Sequence, residues 1–344
     1  MQRFTSKWVV PVVGLAVVLA LALAPLVSAQ VKEIRMVEAG GKSGESIDEG
    51  YVRPFTAKTG VKVTRESPGS LGKLQAMVES GKVTAVLFEL GASSLEQAKA
   101  KGLIEALDWK AIDPNPMYPE AREEYAFGYQ YFSTMMAWRT DAKAPKTWAD
   151  FWNAKDFPGK RTLPDYPTYA IPAALIADGV APDKLYPLDL DRAFRSLNRI
   201  KPHVAVWWKA GAQPPQLLRD NEVQYAVSWA GRVVGQEGIA TTYNQAFLHL
   251  SYFVVPKGAN PAEKAVAMKL LHEMSVAVNQ AKAAEVISYT GPSPELDPLL
   301  PKNRLHEFPT ARQNKAVQIS DNREWWFKNA DVVQKRWEQF KLGL

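Results

Sequence analysis

The triplet Gly41-Lys42-Ser43 matches the last three positions of the nucleotide-binding loop G-x-x-x-x-G-K-[ST]. In that loop, backbone N–H groups and the lysine hold the phosphates, and a further glycine is needed five positions before the second one. Met36 occupies that position, so the loop is incomplete. The glycines and the serine can instead present N–H groups and a hydroxyl to a small polar molecule, or they can form a plain tight turn.

Motifs of hydrolytic enzymes are incomplete as well. His272-Glu273 begins the zinc signature H-E-x-x-H, but Val276 stands where the second histidine is required. The stretch 41–44 is one residue short of the nucleophile motif G-x-S-x-G. We therefore predict no catalytic residue, no metal site and no cofactor, and an exported hydrolase remains an alternative only through a site that no motif reveals. The other histidines lack metal-ligand spacing to one another: His203, His249 and His306.

A pair of tyrosines leaves a second alternative open. Tyr129 and Tyr131 are separated by one residue, and a strand directs such residues to the same face. Neighbouring phenolates can bind ferric iron, so a ferric-ion binding protein is an alternative, although packing of the two rings in the core explains the spacing more simply.

The first 29 residues have the composition of a secretory signal peptide. Arg3 and Lys7 form a basic start, the run 8–24 is apolar, and Val27-Ser28-Ala29 fits a cleavage site of small residues. A transmembrane helix needs about 20 apolar residues, so a cleaved signal is favoured over a membrane anchor. We expect residues 1–29 to be a signal peptide and the mature protein to be periplasmic.

The overall composition excludes several classes of function. The 344 residues contain no cysteine, which excludes a lipid-attachment cysteine, a disulfide, a thiolate zinc site and a catalytic thiol. The formal charge of +6 is spread along the chain rather than clustered, so we expect no nucleic-acid partner. The length predicts one large or two medium domains, and we expect a monomer.

Strand and helix signals alternate along the first third of the chain. A glycine ends each predicted helix, and Ser93 with Glu96 forms a capping box for the third one. This order implies an α/β fold with a mainly parallel sheet and helices on both faces. The predicted strands cover 31–37, 61–65 and 83–88, and the predicted helices cover 45–58, 70–81 and 93–102.

The middle of the chain repeats this order after Thr147, a helix-start signal. Two aromatic strands, each followed by turn residues, mark crossings between two halves. We therefore expect two lobes that flank a cleft. The first lobe would comprise residues 30–140 and 256–300, the second would comprise 141–255, and a helical C-terminal segment, 301–344, would pack on them.

Four long segments, 145–163, 186–223, 251–261 and 321–340, resemble periplasmic solute-binding proteins of the polyamine (spermidine/putrescine) type of ABC importer, within extracellular solute-binding protein family 1. The resemblance runs from about residue 31 to the C-terminus. It implies the two-lobe periplasmic binding protein fold (type II), in which the lobes close around a small organic solute. It also implies delivery of that solute to an inner-membrane permease and its ATPase.

Candidate ligand-binding residues lie where predicted strands end. In open α/β sheets, ligands bind outside the carboxyl ends of strands, because helix N-termini there present unpaired N–H groups. Arg232 suits a carboxylate because its planar fork matches two oxygens, although it would serve equally to brace a turn by pairing with Glu237. Each tryptophan is either cleft surface or core. The predicted residues are Gly41, Lys42, Ser43, Ser93, Asp165, Thr168, Trp208, Trp229, Arg232, Tyr243 and Ser251.

The charges in these positions differ from those that the resemblance implies. A polyamine binder would place an aspartate where this chain has Ser251, whereas Lys42 and Arg232 add two cations. Each such change costs an ammonium ligand about 1 to 4 kcal/mol of Coulomb energy. We therefore expect a solute that bears a carboxylate, with any amine held by Asp165 or Glu89, and spermidine or putrescine remains the alternative.

Overall fold

The computed structural model of the chain describes residues 1–2 and 31–343. The predicted signal peptide therefore lies almost wholly outside the described residues. Residues from Val31 onward form a single compact unit. None of the helices described there has the length and apolarity to cross a bilayer.

One large mixed sheet runs through this unit, in the order β2-β1-β3-β10-β6-β9-β7-β8. Two parallel trios, β2-β1-β3 and β9-β7-β8, flank the long antiparallel pair β10 and β6. The predicted α/β fold is thus observed, with a parallel sheet in each half. The strands are β1 (Glu33–Val37), β2 (Lys62–Glu66), β3 (Leu87–Gly91), β4 (Ile104–Glu105), β5 (Arg122–Glu123), β6 (Ala126–Arg139), β7 (Arg161–Pro164), β8 (Val204–Trp208), β9 (Tyr225–Trp229), β10 (Ile239–Pro256) and β11 (Ile319–Ser320).

Helices cover both faces of each trio, as the alternating order requires. The first trio packs between α1, α2 and α11 on one face and α3 and α4 on the other. The second packs between α6, α7, α8 and α14 on one face and α9 and α10 on the other. The helices are α1 (Gly41–Ile47), α2 (Arg53–Thr59), α3 (Leu71–Glu79), α4 (Ala92–Ala100), α5 (Trp109–Ile112), α6 (Trp148–Trp152), α7 (Pro167–Ala177), α8 (Leu190–Ile200), α9 (Gln213–Arg219), α10 (Ala230–Val233), α11 (Pro261–Ser275), α12 (Ala277–Val286), α13 (Arg312–Lys315) and α14 (Arg323–Leu342).

Several helix starts follow directly from their capping residues. Ser70 accepts a hydrogen bond from the N–H of Lys73 and caps α3, as predicted. Thr147 and Asp150 form a reciprocal capping box at the start of α6. Such caps pair N–H groups that the helix cannot satisfy itself, and each contributes about 1 kcal/mol.

Two predicted helix starts are wrong. The first helix begins at Gly41 rather than at residue 45, and it continues through a π-helical stretch, Asp48–Val52, into α2. Gly41-Lys42-Ser43 is therefore the first turn of a helix and not a loop. The helix α4 begins at Ala92 after Gly91, without a side-chain cap, so Ser93 lies inside its first turn and does not cap it.

Strands β6 and β10 span both halves of the sheet. Near its C-terminal end, β10 pairs with β3 of the first trio, and β6 pairs with β9 of the second. These pairings favour crossings between the lobes inside β6 and β10 rather than after them. The lobe limits given above remain predictions.

The C-terminal segment, 301–344, is less helical than the sequence analysis predicts. Between α12 and α14 the chain is mostly irregular, with short turns and α13. The long helix α14 then packs against α4 of the first half and against α7 and α8 of the second. It therefore connects elements from both halves.

Candidate ligand-binding site

The two predicted lobes meet where the first turn of α1 faces the short helix α10. A Cβ built on Gly41 would lie 3.7 Å from Nη2 of Arg232. A Cβ on Gly231 would lie 2.5 Å from the side chain of Ile287 and 2.7 Å from that of Tyr289. The contacts of Gly231 leave room only for glycine there, and the approach of Gly41 to Arg232 brings the chain after β1 close to the chain after β9.

Three buried polar atoms at this place have no hydrogen-bond partner in the described part of the chain. They are the hydroxyl of Tyr129, Nε1 of Trp229 and Nε of Arg232. Buried polar groups in proteins are almost always paired, because an unpaired one costs about 1 to 3 kcal/mol. A cluster of three marks a surface that is suited to a polar ligand.

Arg232 forms the cationic side of this cluster. It follows β9 by three residues, lies half-buried in α10, and makes no ion pair within residues 31–343. The alternative partner Glu237 is exposed and does not contact it. The guanidinium is therefore available for a carboxylate.

An aromatic wall supports the cationic side. The ring of Trp229 meets Trp208 edge-on at 5.0 Å between centroids and lies 6.0 Å from Tyr169 and 6.2 Å from Tyr166. Trp208 is fully buried, and its Nε1 donates to the carbonyl of Val227 at 2.8 Å. Trp208 thus packs against Trp229 and supports its position, but it has no exposed surface that a ligand could contact.

Glu89 and Glu38 form the acidic side, at the ends of β3 and β1. The N–H of Ala39 donates to Oε2 of Glu89 at 2.7 Å, and the N–H of Gly40 donates to Glu38. Glu38 is 3% exposed and pairs with Arg65 at 3.2 Å, whereas Glu89 has no cation beside it in the part of the chain that the structure describes. Burial raises the pKa of Glu89 to about 7, against the opposing effect of the Ala39 N–H that donates to its carboxyl.

A β-bulge directs Tyr129 toward this acidic side. Gly128 pairs with Tyr252 and Gln130 pairs with Ser251, so Tyr129 is an extra residue in β6. The bulge reverses the alternation of side chains. Tyr129 therefore packs with the α1 face beside Glu89, whereas Tyr131 lies on the opposite face.

The bulge contradicts the expectation that the two tyrosines share a face. The hydroxyl of Tyr131 donates to Glu120 at 2.9 Å, away from Tyr129. No group of three or more His, Cys, Asp or Glu residues within the described residues is arranged to hold a metal. The geometry gives no support to a ferric site built on this pair.

Five predicted site residues come together here: Gly41, Ser43, Trp229, Arg232 and Ser251. The hydroxyl of Ser43 donates to Oε1 of Gln130 at 2.8 Å and lies beside Tyr129. Ser251 is 9% exposed and lies beside Glu89. Strand ends and glycine-containing turns were the sequence signals that located four of these residues, and the family resemblance located Ser251.

Two further predicted residues, Ser93 and Thr168, line a neighbouring cavity of about 330 Å³. Tyr166 and Tyr169 line this cavity and also contact the ring of Trp229, so they lie between the two. The first turns of α4 and α7 therefore face each other across the predicted cleft, one layer away from Arg232.

Three other predicted residues are engaged elsewhere. Lys42 is exposed and pairs with Glu45 at 2.6 Å, so its ammonium does not enter the cluster. The carboxylate of Asp165 is 6% exposed and accepts from Nε1 of Trp337 and from Lys341, each at 2.9 Å. Tyr243 is buried, and its hydroxyl donates to the carbonyl of Glu307 at 2.6 Å.

Sequence reasoning missed Tyr129, Glu38 and Tyr289 as members of the cluster. Tyr129 depends on a bulge that no spacing rule reveals. Tyr289 lies in an irregular segment after α12, where no strand or helix signal predicts its position. A polar residue at the end of β1 was the only available signal for Glu38.

The structure contains one arrangement that resembles a catalytic triad. Nδ1 of His249 contacts Asp321, and its Nε2 lies 3.0 Å from the hydroxyl of Thr134. Thr134 is fully buried in β6, between β10 and β9. A nucleophile must reach its substrate, so this arrangement is better explained as a bond network among the strands that cross between the halves.

Comparison with known proteins supports the class that the fold and site define, a two-lobe binding protein. The family model described as bacterial extracellular solute-binding protein matches residues 50–309. A gamma-aminobutyric acid-binding protein of Pseudomonas aeruginosa is 32% identical over 329 residues, which cover 92% of this chain and 93% of that protein. The chain belongs to the bacterial extracellular solute-binding protein family.

Solved structures agree with this assignment. An ABC transporter substrate-binding protein from Bradyrhizobium japonicum USDA 110 is 34% identical with a TM-score of 0.84, and the match covers 90% of this chain and 99% of that one. The binding protein MotA from A. tumefaciens B6, solved with glucopine, is 30% identical with a TM-score of 0.81, covering 90% and 99%. The predicted role as the substrate-binding component of an ABC importer is confirmed. The ligands that these relatives' names give are not polyamines.

Proposed function

We propose that this protein captures a small solute that carries both a carboxylate and an ammonium group, and delivers it to a membrane permease. The observation that supports this most directly is Arg232, a half-buried guanidinium without an ion-pair partner that faces the Glu89 side of the cluster. Tyr289 lies between the two sides, since the charges of both Arg232 and Glu89 act on its phenol.

Each end of such a solute has a chemically matched partner. A carboxylate would accept from the guanidinium of Arg232 and from Nε1 of Trp229, and so pair two unpaired donors. An ammonium would donate to Glu89 and to the neighbouring hydroxyls of Tyr129 and Ser251. Asp165, the other acid considered for the amine, is already bound by Trp337 and Lys341.

A polyamine fits this arrangement less well. Its ammonium groups would find Glu89 but would also face Arg232 without a compensating acid. A relative supports the same choice, because the gamma-aminobutyric acid that its name gives carries a carboxylate and an amine.

The proposed role includes no chemical change of the solute. The two lobes close because only the closed arrangement lets Arg232 and Glu89 contact the same molecule. The buried position of Thr134 argues against acyl transfer at His249. We propose a periplasmic monomer that works with an inner-membrane permease and its ATPase, and the extracellular solute-binding family and the signal-like N-terminus support the location.

A thermal-shift panel tests this function. It contains 4-aminobutyrate, longer ω-amino acids, opines, organic acids, putrescine and spermidine, and titration calorimetry follows for the compounds that bind. We expect compounds with both groups to raise the melting temperature more than the polyamines do. A preference for spermidine would refute the proposal, and a phenolate–iron colour with ferric salt would revive the iron alternative.

The matched variants are Arg232→Ala and Arg219→Ala. Arg219 is exposed at the end of α9, so its removal controls for loss of charge alone. Arg232→Ala should weaken binding of 4-aminobutyrate at least tenfold, or about 1.4 kcal/mol. Equal affinities in the two variants would show that Arg232 does not contact the solute.

A further inference from the structure

Glu89 differs from the neighbouring Glu38 in having no cation partner within residues 31–343. The adjacent N–H groups of Ala39 and Gly40 donate to Glu89 and Glu38 respectively, which places the two carboxyl groups near each other. The negative charge of Glu38 is balanced by Arg65. Glu89 instead accepts from a backbone N–H and lies among hydroxyl groups, those of Tyr129 and Ser251. A carboxylate in such surroundings is stabilised by dipoles but not by charge.

The elements packed around Glu89 supply no cation either. Lys42 of α1 is turned outward to Glu45, and Ser43 is the residue of that helix nearest to Tyr129. Tyr289 closes the site from the segment after α12, with Arg232 beyond it. Glu38 adds a like charge, which disfavours ionisation of Glu89 further.

We propose that Glu89 exchanges its proton for the ammonium group of the solute, so that capture is coupled to pH and selects protonated amines. This inference rests on the function proposed above. When the ammonium binds, the carboxyl proton leaves to water, the ammonium keeps its own protons, and the carboxylate and ammonium form an ion pair inside the cleft. A solute with a hydroxyl or amide group in place of the ammonium would leave the proton on Glu89.

Two measurable consequences follow from a carboxyl pKa of about 7 before binding. At pH 7 the carboxyl is about half protonated, so each bound ammonium releases about half a proton. Affinity falls as the pH drops, because the solute must then displace a proton from more of the molecules. We expect binding about tenfold weaker at pH 6 than at pH 8, with little further change at higher pH.

The experiment is calorimetric titration of the mature chain with 4-aminobutyrate at pH 6, 7 and 8, in buffers of different ionisation enthalpy. The dependence of the observed enthalpy on the buffer counts the protons released. The same titration with 4-hydroxybutyrate, which has the carboxylate but no amine, should show weaker binding and no proton release.

Glu89→Gln and Glu285→Gln are the matched variants, since Glu285 is exposed on α12. In Glu89→Gln we expect at least tenfold weaker binding of 4-aminobutyrate, no proton release and no dependence on pH in this range. Glu285→Gln should retain all three properties of the native chain. Circular dichroism checks that both variants are folded.

The outcomes separate this inference from the proposed function. Tight, pH-independent binding of 4-aminobutyrate without proton release would overturn the role of Glu89 and leave the function standing. Proton release that persists in Glu89→Gln would also overturn it, because another group would then titrate. If no compound that carries both a carboxylate and an amine binds, the proposed function fails and the inference fails with it.

Discussion

Replacement of Glu89 by glutamine should make the solute-free protein more stable at neutral pH. The pKa of this carboxyl rises from 4.5 to about 7 on folding. Between these values the unfolded chain has lost the proton and the folded chain still holds it. Stability therefore decreases as the pH rises from about 4.5 to about 7, and the loss is complete above pH 7.

The pKa difference sets the size of this effect. At 1.36 kcal/mol per pH unit, the ionised form of Glu89 costs up to about 3 kcal/mol of folding free energy at pH 8. Some of the carboxylate is exposed, and water there reduces the cost. Glutamine has no charge to bury, and its amide oxygen can still accept from the N–H of Ala39.

Urea denaturation at pH 4, 6 and 8 measures the difference. We expect the free energy of unfolding of Glu89→Gln to be about 2 to 3 kcal/mol higher than that of the native chain at pH 8. The difference should be smaller at pH 6 and absent at pH 4. Saturating 4-aminobutyrate should stabilise the native chain at pH 8 much more than the variant. Glu285→Gln, which is exposed, should change little at any pH.

One result would refute this reasoning directly. If Glu89→Gln is less stable than the native chain at pH 8, the surroundings of Glu89 stabilise the ionised carboxylate, and folding does not raise its pKa. Its role as a proton-exchanging group would then lose its physical basis.

Three further variants test the assignments in and around the cluster. Tyr129→Phe should leave the free energy of unfolding unchanged or raise it by about 1 kcal/mol, because it removes an unpaired buried hydroxyl. Tyr131→Phe should lower the free energy of unfolding by about 1 kcal/mol, because the hydroxyl of Tyr131 donates to Glu120. Equal losses in urea denaturation would show that both hydroxyls are bonded. Asp165→Asn should lower stability by about 2 kcal/mol, because Trp337 and Lys341 both donate to its carboxylate, yet keep 4-aminobutyrate affinity within about twofold. A tenfold loss of affinity in calorimetry would restore Asp165 to the ligand site.

Much of the architecture was predictable from local patterns. The alternating strand and helix signals predicted parallel strands covered by helices on both faces, because each such unit must bury one apolar side. The placement of Ser43, Trp229 and Arg232 followed from a single topological rule, that strand ends share an edge of the sheet, whereas Ser251 followed from the family resemblance. Such rules need only the order of elements.

Other features depended on interactions between distant parts of the chain. The spacing of Tyr129 and Tyr131 predicts one shared face, but a bulge opposite Ser251 separates them. Asp165 stands at a strand end like the true cluster residues, yet α14 returns to it from the C-terminus and occupies its carboxylate.

The sequence by itself determined the family, the two-part α/β fold and the presence of a cation at the end of β9. Only the tertiary structure decided that this cation lacks a partner, that Glu89 opposes it, and that Lys42 points away. The physical reason is that the charge and hydrogen-bonding state of a side chain depend on which groups surround it in space. Those groups here come from α1, β3, β6, β10 and the segment after α12, and no local pattern relates them.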